Sequence, residues 1–432
     1  MSAAGLSYEQ APPFGLPLRF FLSAPLFLLL AATAAMPSAA AWTASRWAPE
    51  ALALTHLLTL GFLGQVMMGA LLQMLPVVIG SPVPWPRLTG SLGHLGLTLG
   101  TLLLAAGLGW GLPPLIQTGM VCLAAGWLPF LAAMAFSLAR ARTASTATLY
   151  PMRQAWFALF ITLALGFWLG GALSGLWPPG PLAALTDLHA AWGLLGWVLM
   201  LVMGVAYQVV PMLQITPAYP AKAVVWLTWM VLAGLALLSL TAMSAAPKMN
   251  LLHAVSWLPI IGAMAIFAAL TLWLQHRRRR KLPDATLGFW RLGMASLLLL
   301  AVLPPFAAAL QEDAHTRLET AAGLLFLLGF AASVVNGMLY KIVPFLAWFH
   351  LQSQTGAKAG TIPNMKDFLP QAQARRHLHV HTAAVLLILP TPWLPPVSTA
   401  AGLLPLAASA LLLWRNLAGC IRLFRERGGR LG

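Results

Sequence analysis

Long apolar runs alternate with short polar breaks along almost the whole chain. Twelve runs are long enough to be helices that cross a bilayer, whose core of about 30 Å needs about 20 helical residues. They fall at 18–41, 51–80, 88–111, 115–140, 152–177, 185–214, 221–244, 250–275, 287–311, 315–348, 377–397 and 399–420. The expected fold is an all-α integral membrane protein with twelve transmembrane helices. The breaks between runs are short. The longest, about 349–376, reads as a loop, so residues 1–432 form a single membrane domain.

Within this pattern one skeleton recurs three times: Gly-x7-Gly-x3-(Gln/Lys)-x2-Pro. The copies are Gly61, Gly69, Gln73, Pro76; Gly196, Gly204, Gln208, Pro211; and Gly329, Gly337, Lys341, Pro344. The prolines are 135 and 133 residues apart, and the copies fall on spans two, six and ten. Twelve spans thus divide into three four-helix repeats, about 18–140, 152–275 and 287–420. An even number of spans per repeat makes the repeats parallel, unlike the inverted repeats of many transporters. Glycine on a spanning helix lets a neighbouring backbone or a flat ligand approach closely. Shared packing is the simplest reading of the skeleton. Helix-end breaking accounts for the prolines, and Lys341 is placed to snorkel toward a helix end.

Composition agrees with a membrane protein: 60% hydrophobic and 8% charged residues, with mean hydropathy +0.82. The net charge of +16 needs a different account. With the N-terminus inside, only Arg46, Lys248 and Arg317 of the 25 Lys and Arg fall on the outer side. Arg140, Arg142, Arg153, the run Arg277 to Lys281, Arg375, Arg376 and Arg422 to Arg430 all fall inside or in the tails. That asymmetry is the positive-inside pattern, and it places both termini in the cytoplasm of a bacterial inner-membrane protein. The basic run then meets anionic lipid, and no motif supports nucleic-acid binding. Residues 1–17 lack the basic start of a signal peptide. Cys122 and Cys420 stand alone, with no disulfide or cysteine-metal pattern.

Candidate chemistry lies with the ten histidines. His56, His189, His253 and His315 fall on the outer side. The first three are each followed by apolar residues, a turn or two below the surface, where ionisable groups are costly and mark function. Neutral imidazole ligates haem iron, copper or zinc. A haem needs one or two axial ligands and an apolar slot between helices, and Gly61, Gly64, Gly193 and Gly196 supply small residues beside His56 and His189. The alternative for each histidine is an interfacial ring bonded to a backbone carbonyl or headgroup. His315 lies beside Glu312 and Asp313 and reads as solvated, as does His276. His94 and His350 are far from the outer group. His377, His379 and His381 alternate; residues two apart on a helix diverge, so they read as a solvated juxtamembrane stretch. Trp42, Trp47, Trp177 and Trp393 form an aromatic belt. No P-loop, dinucleotide fingerprint, Ser-His-Asp set or paired intramembrane carboxylates is present.

Twelve spans in threes of four, with His56-Leu57-Leu58 leading to Gly69-Ala70-Leu71-Leu72-Gln73-Met74-Leu75-Pro76 in span two, resemble subunit I of the haem-copper oxidases. That superfamily includes nitric oxide reductases and the related NnrS-like membrane haem proteins. The resemblance implies a haem-copper oxidase subunit I-like fold and a haem b ligand at His56, with His189 at the place of a copper ligand. It also implies quinol, a cytochrome or nitric oxide as partners. The chain departs from the family in span ten, where Leu324 and Ala322 match His56 and His189, and in span seven, which has no histidine. No His-x3-Tyr follows His189. The expectation is therefore a b-type haem protein without the oxygen- or nitric oxide-reducing copper centre, with His56 paired to His189, His253 or a methionine. Copper at these histidines, a divergent gas reductase and a cofactor-free twelve-span transporter are the competing readings. Against the transporter, acids such as Glu50, Asp187 and Glu319 lie only at helix ends. A homo-oligomer is compatible with all of them.

Overall fold

The computed structural model describes residues 12–141, 146–242, 247–279, 282, 284–307, 311–355 and 362–431. Arg142, Arg280, Lys281, the expected ends of spans seven and nine, and 356–361 of the long loop lie outside the described residues. Every regular element among the described residues is helical. Eleven of these helices are long and apolar enough to cross a membrane, which makes the chain a multi-pass membrane protein.

The long helices are α1 (Gly15–Ala35), α2 (Pro49–Val78), α3 (Pro86–Trp110), α4 (Pro113–Arg140), α5 (Thr146–Leu173), α6 (Leu182–Gln214), α7 (Ala221–Thr241), α8 (Pro247–His276), α9 (Ala285–Ala307), α10 (Glu312–Gln354), α11 (Gln371–Ile388) and α12 (Thr399–Glu426); a separate short helix, Ala39–Ala44, follows α1, so the expected first span breaks after Ala35. Proline opens α2, α3 and α4, where its missing N–H costs nothing. Gly111 closes α3 in the left-handed region (φ 64°), and Leu112 N–H donates back to the Gly107 carbonyl at 2.9 Å. The two-residue turn that results sends α4 back along α3.

α11 falls outside the eleven. It starts earlier than the apolar run 377–397 and includes Arg375, Arg376 and three histidines, so its mean hydropathy is low. The skeleton prolines also differ from expectation. Pro76 and Pro211 lie inside the last turn of their helices, but α10 continues well past Pro344 to about residue 355. A proline removes one backbone hydrogen bond, and close neighbours can re-satisfy the freed carbonyl in a packed membrane helix.

Three eight-residue π-helical stretches interrupt the α-helices: Leu57–Gly64 in α2, Trp192–Leu199 in α6 and Leu325–Ala332 in α10. Gly61, Gly196 and Gly329 each occupy the fifth position of their stretch. π-Helical turns of this kind are rare and concentrate at functional sites. The skeleton glycines are packing positions. A methyl group on Gly69 would meet Phe20 Cβ at 2.8 Å, and one on Gly61 would overlap the Phe27 ring, both on α1. Gly196 and Gly204 abut Ala158 and Pro151 of α5; Gly329 and Gly337 abut Ser296 and Phe289 of α9. Thus α1, α5 and α9 each lie along one π-containing helix. The pairs α3–α4, α7–α8 and α11–α12 pack as antiparallel hairpins. Contacts of α4 with α5, α8 with α9 and α12 with α1 close the bundle into a ring.

Lys341 does not snorkel freely. Its Nζ lies 2.7 Å from Asp284 Oδ2, with both side chains mostly buried. The pair joins α10 to the start of α9.

Candidate functional site

The π-helical stretches of α2, α6 and α10 surround one cavity of about 1330 Å³. Its walls are largely apolar: Leu58, Trp127, Leu159, Phe167, Trp197 and Phe326 are among them. His56, His189 and His253 all line it, so the three histidines expected as ligands share one space. Gly64 and Gly193 line it too. Gly61 and Gly196 do not; the helix packing described above fills the space beside them, which corrects the expectation that they border a cofactor slot.

His56 and His189 lie next to each other on the wall of this space. Their ring centroids are 6.2 Å apart and their planes differ by 19°. His56 Nδ1 lies 2.7 Å from the Leu52 carbonyl one turn earlier on its own helix. His189 Nδ1 lies 3.0 Å from the Thr162 carbonyl on α5. A carbonyl only accepts, so each Nδ1 carries the proton and each Nε2 is left with a bare lone pair. A backbone carbonyl on Nδ1 is the usual way to orient a metal-ligating histidine and raise its basicity. His189 needs room for this pose, and Gly166 supplies it: a methyl group there would meet His189 Cε1 at 2.9 Å.

His253 is held in the same sense. Thr241 Oγ1 donates to the Leu237 carbonyl at 3.0 Å and accepts from His253 Nδ1 at 3.0 Å. Its Nε2 is therefore also bare. No ring contact joins His253 to the His56–His189 pair. Among the described residues no three His, Cys, Asp or Glu side chains converge to hold a metal ion. Two neighbouring imidazoles with bare nitrogens are groups that could hold a metal.

One end of the cavity carries the ion pairs. Arg46 Nη1 lies 2.7 Å from Asp187 Oδ1, and its Nε lies 3.0 Å from Glu319 Oε2. All three residues line the cavity and are partly exposed, so one arginine ties the starts of α6 and α10 to the segment before α2. Partly exposed pairs are each worth about 1 kcal/mol or less, so the link orders the rim more than it stabilises the bundle. His315, on the same rim, is exposed as expected.

Trp127 is an unexpected member of the wall. Its indole N–H is buried without a hydrogen-bond partner, and its ring meets Trp197 edge-to-face at 6.5 Å. Sequence reasoning passed over it because one tryptophan among 18 gives no signal.

The other histidines lie elsewhere. His94 Nε2 is 2.8 Å from Ser23 Oγ between α1 and α3. His350 stacks on Phe14 at 5.3 Å. His276 and His379 are exposed, as expected. His377 and His381 are fully buried, which corrects the reading of 377–381 as a solvated stretch. They are four apart, so they share a helix face while His379 points away. That i, i+4 spacing was the signal available in the sequence. No protein-family model matches this chain, and no curated protein matches it either.

Proposed function

We propose that the chain is a membrane b-type haem protein, in which His56 and His189 would hold one haem iron. The observation that carries this reading is the His56–His189 pair. A metal–imidazole bond is about 2 Å long, so two rings on opposite faces of one metal put their centroids about 6 Å apart. The observed 6.2 Å matches, with both Nδ1 atoms held by carbonyls and both Nε2 atoms free. The cavity exceeds the roughly 300–1,000 Å³ of ordinary small-molecule pockets, as a macrocycle requires. Gly64 and Gly193 keep the wall beside the two histidines low, and Trp127 offers an unpaired donor.

When bound, the haem would supply a one-electron couple whose potential depends on the axial pair and on burial. The chain's own part is to hold the ligands. Leu52 and Thr162 fix the ring orientations, the apolar wall keeps the dielectric low, and Arg46 with Asp187 and Glu319 orders the rim. With both histidines holding the iron, the group would serve electron transfer in preference to gas reduction or nitric oxide binding. A quinol or a cytochrome is the fitting class of donor. A cofactor-free transporter would leave three bare imidazole nitrogens on an apolar wall without purpose.

The architecture of this reading is the oxidase subunit I-like one: twelve spans, α1 to α12, in three parallel four-helix repeats around α2, α6 and α10. Three π-stretches in one register, three glycine pairs packed against α1, α5 and α9, and three recurring hairpins support it. The excess of Lys and Arg at one side supports a bacterial inner-membrane topology with that side and both termini cytoplasmic. Titration of the detergent-purified, haem-depleted protein with hemin tests the reading. One equivalent per chain is expected to bind and give a six-coordinate low-spin spectrum; a non-saturating, high-spin signal equal to that of empty micelles would count against it.

A further inference from the structure

A second set of buried polar groups lies in α10, α11 and α12, below the cavity. Asn416 Nδ2 donates to Tyr340 Oη at 2.8 Å. Tyr340 Oη lies 2.7 Å from His377 Nδ1, and His377 Nε2 lies 2.7 Å from Ser409 Oγ. Ser409 Oγ is 3.2 Å from His381 Nδ1, and His381 Nε2 is 3.0 Å from Ser333 Oγ. Ser333 Oγ donates to the Leu328 carbonyl at 3.2 Å. Each of these side chains is buried.

The two ends fix the direction of the chain. The hydroxyl proton of Ser333 is used on Leu328, so Ser333 accepts from His381 Nε2–H. His381 Nδ1 must then accept from Ser409, Ser409 from His377 Nε2–H, and His377 Nδ1 from Tyr340. Every link therefore donates the same way, from the level of Asn416 toward that of Leu328. Both nitrogens of both rings are engaged, so neither histidine has a lone pair left for a metal. Phe289 covers both rings, at 5.0 and 5.8 Å between centroids.

The chain also runs along the helices. From Tyr340 to Ser333 is seven residues, about 10 Å of rise along α10. α11 and α12 carry their members in the matching order, His377 then His381 and Asn416 then Ser409. At one end, Tyr340 adjoins Lys341, which is paired with Asp284 on the basic side. At the other, Ser333 follows the π-stretch of α10, and Leu328 of that stretch lines the cavity. Three helices could be held together by one or two such bonds. An unbroken file of hydroxyl and imidazole groups, each able to accept and donate, is what proton transfer requires.

We infer that the Tyr340–His377–Ser409–His381–Ser333 file is a proton relay between the basic side of the membrane and the floor of the cavity. A proton from water or a buffer acid is taken up at Tyr340 Oη, whose own proton moves to His377 Nδ1. The Nε2 proton of His377 moves to Ser409, and the Ser409 proton moves to His381 Nδ1. The Nε2 proton of His381 moves to Ser333, and the Ser333 proton leaves to water or a base beside Leu328. One proton enters, one leaves, and every group ends neutral. Reset needs the hydroxyls to turn and the rings to flip, so protons pass singly. The relay stands whatever occupies the cavity.

Proteoliposomes of the full chain, with a trapped pH dye and a valinomycin-set potassium potential, test it. Native protein is expected to pass protons several-fold faster than protein-free vesicles. Ser409→Ala and, independently, Ser333→Ala each remove one oxygen from the file and should return flux to within twofold of protein-free vesicles. Native flux equal to that of protein-free vesicles would overturn the relay. So would native-like flux in either variant with only a lowered unfolding temperature, the result of a purely structural network. A colourless protein that still conducts would sink the haem reading and leave the relay in place.

Discussion

Replacing His56 or His189 by alanine should lower haem retention by at least about 100-fold, whereas His253→Ala should leave it nearly unchanged. Loss of groups that merely orient a metal ligand typically costs 10–100-fold in metal affinity, so loss of the ligand itself sets a floor. The two variants should also fail in the same way. Each leaves one imidazole, so haem that is retained becomes five-coordinate and high-spin and acquires an open face that binds carbon monoxide. His253 provides the control because it lines the same cavity and is oriented the same way by Thr241. Equal losses in all three variants would show that the cavity responds to any polar deletion. Visible spectra of the purified variants, with haem counted per chain, make the measurement.

The second large effect concerns the bundle. Gly96→Leu should prevent recovery of monodisperse protein, while Gly419→Ala should not lower the yield or the unfolding temperature. A Cβ on Gly96 would lie 2.6 Å from the Cys122 carbonyl oxygen and 2.7 Å from Gly126 Cα and N. These neighbours are backbone atoms of α4, which cannot turn away as a side chain can. Gly100 and Gly119 meet the opposite helix in the same way, at 2.8 Å from Leu123 N and 2.7 Å from Leu104 N. The α3–α4 hairpin thus depends on close backbone approach, the mode of packing that replaces the hydrophobic effect inside a bilayer. Overpacking ordinarily costs about 1–3 kcal/mol; here relief requires separating two whole helices, so the cost lies above that range. A Cβ on Gly419 has nothing within 4 Å, and alanine favours a helix. Size-exclusion profiles and thermal unfolding in detergent read both outcomes.

The spans were legible because a bilayer demands long apolar helices, and that demand is written directly in the residues. The exception is informative. The apolar run 377–397 starts later than α11 because the first turns of the helix, Gln371 to Arg376, are polar and carry Arg375 and Arg376. The burial of His377 depends on Tyr340 and Ser409, 37 and 32 residues away in the chain, which no local window contains. The glycine skeleton was visible and its packing role follows from it. The π-stretches on which it sits were not, since no residue type separates an i+5 from an i+4 turn. His56 and His189 stood out because an imidazole below the membrane surface is costly. Which way Gly61 and Gly196 face, against Phe27 and Ala158 and away from the cavity, depended on helix rotation that periodicity in a wholly apolar run cannot define. The Arg46 link joins residues 141 and 273 positions apart and was likewise out of reach.

The proposed occupant of this cavity is one haem held between His56 and His189. A reduced-minus-oxidised visible spectrum of the protein, purified in detergent from the membranes in which it was made, tests it most directly. The account predicts sharp low-spin b-type bands at one haem per chain, unchanged by carbon monoxide. A correctly folded, colourless and metal-free protein would contradict it.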